Sequence, residues 1–88
     1  MSREVVISSA FKKDLKKLRA KDNGRLKQLI GLLADEIPLP AGYRDHALVG
    51  QWKGYRDAHI EPDWLLIYRV DADTVYLART GSHAEIFR

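Results

Sequence analysis

Eighty-eight residues carry 15 Lys+Arg against 12 Asp+Glu, no cysteine, and 45 % hydrophobic side chains. Two ordinary domains of roughly 100–200 residues each do not fit in that length. Without cysteine there is no disulfide to staple the fold and no thiolate to serve as nucleophile or soft metal ligand. A single domain over 1–88 is expected, with net stability of about 4–13 kcal/mol. The setting expected is cytoplasmic, with no membrane partner. The apolar run Trp64-Leu65-Leu66-Ile67-Tyr68 is far shorter than the ~20 residues that span a bilayer. The opening Met1-Ser2-Arg3-Glu4 does not read as a signal peptide.

In chain order, Arg3-Glu4-Val5-Val6-Ile7-Ser8 predicts a short β-branched strand. Ser8 or Ser9 can cap the helix that follows by accepting from an orphan amide. Phe11, Leu15 and Leu18 fall on one helical face, with Lys12, Lys13, Lys16, Lys17, Arg19 and Lys21 at the other positions. Lys21-Asp22-Asn23-Gly24 interrupts the pattern, and Leu26, Leu29, Ile30 and Leu33 form a second apolar stripe. Pro38 and Pro40 end that helix, since proline cannot continue the ladder.

The period then changes. Residues 52–60 alternate as a strand, with Trp52, Arg56, Ala58 and Ile60 on one side and Lys53, Tyr55, Asp57 and His59 on the other. Glu61-Pro62-Asp63 turns into residues 64–70, nearly all apolar and therefore central. Asp71-Ala72-Asp73 turns into residues 74–80, which Gly81 ends. Short turns between consecutive strands predict an antiparallel meander. The expected fold is α+β: a small antiparallel β-sheet with an N-terminal β-α-α unit, both helices packed on one face.

Charge is unevenly spread. Residues 1–36 hold nine basic and five acidic side chains, whereas residues 37–88 hold six and seven. The basic excess belongs to the helical half, where Lys12, Lys13, Lys16 and Lys17 are candidates for tracking RNA phosphates, each neutralised phosphate adding salt-dependent affinity. All three histidines, His46, His59 and His83, lie in the other half. They show no HExxH or other short ligand spacing, so neither a metal nor a cofactor is expected. Each falls near a turn or strand end beside other reactive groups. Imidazole, with an unperturbed pKa of ~6.5, serves as acid or base near neutrality. With arginine to bind the anion, these are the groups that phosphodiester cleavage requires. Trp64, just after a turn, and Phe87 are the aromatics placed to stack on a base.

The stretches Pro38-Leu39-Pro40, Tyr43-Arg44-Asp45-His46-Ala47-Leu48, Trp52-Lys53-Gly54-Tyr55-Arg56-Asp57-Ala58-His59, Glu61-Pro62-Asp63-Trp64-Leu65-Leu66-Ile67-Tyr68 and Arg79-Thr80-Gly81-Ser82-His83-Ala84-Glu85-Ile86-Phe87 together resemble the YafQ-type toxins of the RelE superfamily. The match covers about fifty residues and links many rare residues at set spacings. The two helices match only in length, basic character and apolar spacing.

The resemblance implies a RelE-like toxin of a bacterial type II toxin–antitoxin pair that cuts messenger RNA in the ribosomal A site. Carried over by position, His46, His59, Asp63 and His83 form the catalytic cluster, with Trp64, Arg79 and Phe87 supporting it. The implied partners are a cognate antitoxin, in a heterotetramer, and the 70S ribosome with its mRNA and rRNA. In the implied chemistry the RNA 2′-hydroxyl is the nucleophile. His83 is the general acid, His59 or Asp63 the base, His46 an orienting or second proton-transfer group, and Arg79 the phosphorane stabiliser. The rival readings are a ParE-like gyrase inhibitor and a catalytically silent RNA- or antitoxin-binding module. A gyrase binder has no need of three imidazoles beside Asp63 and Arg79.

Overall fold

A computed structural model describes residues 2–18 and 23–87. Strand β1 (Glu4–Ile7) leads into helices α1 (Ser9–Leu18) and α2 (Asn23–Ala34). A 3-10 turn (Ala41–Tyr43) precedes the two-residue strand β2 (His46–Ala47), and a second one (Gly50–Trp52) follows it. Strands β3 (Arg56–Glu61), β4 (Trp64–Val70) and β5 (Thr74–Gly81) end at the single-turn helix α3 (His83–Ile86). The five strands lie in the order β1-β5-β4-β3-β2. Pairing is antiparallel except between β1 and β5. The α+β expectation therefore holds, with one parallel pair at the edge. Among the described residues no helix is long and apolar enough to cross a membrane.

Local chemistry sets the ends of the helices. Ser8 caps α1: its Oγ accepts from the Phe11 amide at 2.9 Å and donates to the Ala78 carbonyl at 2.7 Å, tying the helix start to β5. Helix α2 ends with Glu36 in the left-handed region (φ 61°). The Ile37 amide reaches back to the Leu32 carbonyl at 3.0 Å and the Glu36 amide to Leu33 at 3.3 Å, the Schellman pattern that satisfies orphan carbonyls. Arg3 covers one more and doubles another, donating from its amide to Ala34 O at 2.6 Å and from Nη1 to Leu33 O at 2.9 Å. The turn expected over residues 21–24 lies partly outside the described residues, as do Arg19, Lys21 and Arg88; α2 already begins at Asn23.

Alternation along β4 divides the core between the two faces of the sheet. Leu66 and Tyr68 join Phe11, Leu26, Leu29 and Leu33 of the helices, together with Ala58, Ile60, Val75 and Leu77. Leu65 and Ile67 face the other way and meet Ile86 of α3, flanked by Leu48, Trp52, Tyr55 and Ala78. Both helices thus cover one face, as expected.

Three expectations change. The strand predicted over residues 52–60 begins only at Arg56. Trp52 lies in a 3-10 turn, and the chain pivots at Gly54 (φ 94°), so Trp52 and Tyr55 meet edge to face at 5.3 Å over the smaller core instead of lying on opposite sides. Strand β2 was not anticipated, because two residues carry no periodicity. Residues 83–86 form a helical turn where no element was expected.

Candidate active site

The smaller face carries the histidines. His46 pairs with Asp57 across β2 and β3, and His59 lies two residues further along β3 on the same side. His83 opens α3, and Asp63 sits in the turn between β3 and β4. The three imidazoles form a row, with centroids 6.0 Å apart for His46–His59 and 5.8 Å for His59–His83; Phe87 extends it 6.3 Å beyond His83.

Two carboxylates orient the ends of this row. Asp63 Oδ1 accepts from the His83 amide at 2.9 Å and lies 2.6 Å from His83 Nδ1. These donors hold the Asp63 carboxyl below the usual aspartate range, the backbone bond contributing most. At the other end, His46 Nδ1 lies 3.0 Å from Asp57 Oδ1 and 3.1 Å from the Arg44 carbonyl. With only acceptors around it, each Nδ1 carries its proton, which leaves Nε2 as the working nitrogen. Asp57 is buried, and its Oδ1 makes no hydrogen bond of good geometry; it stands against His46 as a close contact at 3.0 Å. His59 Nδ1 is also buried without a partner among the described residues.

The scaffold under the row is specific. Gly81 takes φ 150°, and a Cβ there would meet Glu85 Oε1 at 2.8 Å. Glu85 needs that space because it closes a capping box: its side chain accepts from the Ser82 amide at 2.8 Å, while its own amide donates to Ser82 Oγ at 3.2 Å. These bonds lower the Glu85 carboxyl, the backbone bond first and the charge of Lys17 adding to them. Opposite, Asp45 just ahead of His46 is clamped by Arg56, whose Nε and Nη2 each reach it at 3.1 Å, and by the Tyr68 hydroxyl. Desolvation, then the Asp45 carboxylate, raises the Tyr68 hydroxyl, which stays protonated and donates.

The other expected residues are placed differently. Arg79 forks onto buried Asp14 of α1, Nε to Oδ2 at 2.7 Å and Nη2 to Oδ1 at 3.1 Å, which raises its guanidinium. Asp14 also accepts from the Thr80 amide at 3.0 Å, standing in for a strand along the edge of β5 that β1 leaves open. None of Arg79's hydrogen bonds reaches the histidines. Trp64 packs against the helix-side core, and its Nε1 donates to Thr80 Oγ1 at 3.0 Å, so its ring supports the sheet instead of extending the row. Lys12, Lys13, Lys16 and Lys17 are exposed on α1; Lys17, with Glu85, lines the small cleft between α1 and α3.

Asp57 and Asp14 are the site groups that sequence reasoning missed. The strand alternation placed Asp57 beside His59, a signal that could have identified it. Asp14 is the one acid in a basic helix, and nothing local marks it as buried. Among the described residues, no three His, Cys, Asp or Glu side chains are placed to hold a metal ion.

Comparison with known proteins agrees with this fold. Residues 3–88 match the family described as the bacterial toxin of type II toxin-antitoxin system, YafQ. The mRNA interferase toxin YafQ of Escherichia coli K12 is 48 % identical over 90 residues, covering 99 % of this chain and 98 % of that protein. The toxin in the E. coli DinJ-YafQ complex superposes with a TM-score of 0.88 at 48 % identity, over 98 % of this chain and 99 % of that one. A metal-bound toxin from Helicobacter pylori superposes with a TM-score of 0.89 at 41 % identity, over 99 % and 100 %. The chain belongs to the YafQ family of toxins of type II toxin–antitoxin systems.

Proposed function

We propose that the chain is a ribosome-dependent mRNA interferase that cleaves message in the A site without a catalytic metal. The observation that carries this reading is the row of three imidazoles with a carboxylate on Nδ1 at each end. RNA brings its own nucleophile, so the protein need only move protons and stabilise charge. A base takes the 2′-hydroxyl proton, the oxygen attacks the adjacent phosphorus, and an acid protonates the departing 5′-oxygen. The products are a 2′,3′-cyclic phosphate, or its hydrolysed 3′-phosphate, and a 5′-hydroxyl.

His83 is assigned as general acid, because Asp63 Oδ1 fixes its Nδ1 and its amide and leaves Nε2 free to meet the substrate. Asp63 Oδ1 is already occupied by two donors and its carboxyl is made less basic by them, so the base falls to His59. His46, backed by Asp57, orients the substrate or relays a proton. Phe87 stacks on a base. Arg79, fastened by Asp14, contributes its charge from a fixed position. The α1 lysines grip ribosomal RNA. The relative crystallised with DinJ supports a cognate antitoxin as partner; a heterotetramer is the assembly we propose for the pair.

The direct test is cleavage of ribosome-bound message with 5′ ends mapped. His83→Ala should lose about 10²–10⁴-fold in rate while keeping its melting temperature. A wild-type rate would refute the assignment. Addition of zinc- and copper-selective chelators at constant magnesium should leave the rate unchanged; loss of activity would bring a bound metal into the chemistry.

A further inference from the structure

Beside the histidine row is a cleft of about 320 Å³ lined by Arg25, Gly42, Arg44, His59, Glu61 and Pro62, with Ile60 at its base. It exists because β2 is so short. The antiparallel register pairs His46 with Asp57 and Ala47 with Arg56. Continued two residues back, it would put Arg44 opposite His59. The chain instead leaves the sheet there, with Arg44 at φ 47° closing the 3-10 turn. The edge of β3 beyond Ala58 is left without a strand neighbour on that side.

The lining suits one chemistry. Arg44 is exposed and has no ion pair among the described residues, while its own carbonyl touches His46 Nδ1. Arg25 is held by Glu61 at 3.0 Å, both side chains about half exposed, so an incoming anion can displace that pairing at little cost. A planar guanidinium offers a phosphate two parallel donors and a base a stacking surface. A space of this size takes one nucleotide, and His59 forms the wall shared with the reacting centre.

Resting on the ribonuclease reading, we infer that this cleft is a subsite for the nucleotide next to the scissile phosphate, with Arg44 as its main anchor and the Arg25–Glu61 pair as its adjustable rim. Arg44 is thus a binding and specificity residue, not a proton-transfer group.

The test is steady-state cleavage of message on 70S ribosomes, with cut sites mapped. Arg44→Ala, and Arg44→Gly, which suits φ 47°, should raise KM about tenfold with kcat within about twofold. Both should alter the preferred nucleotide beside the cut. Arg44→Lys should recover part of the affinity, and Glu61→Gln should lower KM about threefold by freeing Arg25. An unchanged KM and cut-site map in both Arg44→Ala and Arg44→Gly, with wild type active, would overturn the subsite alone. A wild-type chain that cuts no message would remove the ribonuclease reading and the subsite with it.

Discussion

The two faces of the sheet are built for different work. The helix-side face buries Phe11, Leu26, Leu29 and Leu33 against six sheet residues, and its helices carry no group of the histidine row. The opposite face has a core of three buried residues, Leu65, Ile67 and Ile86, yet presents His46, His59, Asp63, His83 and Phe87. Its coverings are short, a 3-10 turn and one turn of helix, and the strand at its edge has two residues. Thin elements leave imidazoles in reach of a large substrate, whereas a helix packed across them would bury them. The reacting groups are held by polar fastenings, the Asp45–Arg56–Tyr68 clamp at one end and the Ser82–Glu85 capping box at the other.

Substitutions on each face should therefore separate stability from activity. Leu66→Ala, in the larger core with no exposed surface, should cost about 2–5 kcal/mol, a large share of the whole stability, and chemical denaturation will measure it. If activity fell at a temperature where this variant remains folded, the helix face would have a role in catalysis that the comparison denies. Ile86→Ala should behave in the reverse way. Because α3 is a single turn packed through one buried residue, the global cost should stay near ~1–2 kcal/mol, while cleavage drops with the loss of the His83–Asp63 pairing. Global destabilisation as large as in Leu66→Ala would show that the two faces unfold as one.

The smallest effect comes from pH. The folded-state carboxyl of Asp63 lies below its unfolded value, so its contribution to holding α3 is complete above the ordinary aspartate value of ~3.9 and is lost as pH falls through the lowered one. Hydrogen exchange at the His83 amide should stay protected from neutrality down to about pH 4 and weaken only below it. Loss of protection already at pH 6 would contradict the pairing.

The large face was legible because its signals are periodic. Phe11, Leu15 and Leu18, then Leu26, Leu29 and Leu33, repeat with the helix, and residues 64–70 read as a central strand. The small face is built from pieces too short to have a period. Its one helical signal was chemical: Ser82 three residues before Glu85 is the capping-box spacing, and it explains α3. The histidines and Asp63 could be singled out by residue type and family likeness, but their spacing depends on β2, on the pivot at Gly54 and on the close approach at Gly81. Trp64 and Arg79 show the limit from the other direction. Both are polar-capable residues beside the site, and both are drawn to the partners buried next to them, Thr80 and Asp14. A sequence does not display such pairings, between residues 16 and 65 positions apart.

The chemistry of the cut ends reports most directly on the histidine row. Message recovered from ribosomes treated with the wild-type chain should carry 5′-hydroxyl ends facing 2′,3′-cyclic phosphate or 3′-phosphate ends, and His83→Ala should produce almost none. Ends with a 5′-phosphate and a 3′-hydroxyl would mean that water, not the 2′-hydroxyl, attacks, and would contradict the proposed role of the histidine row.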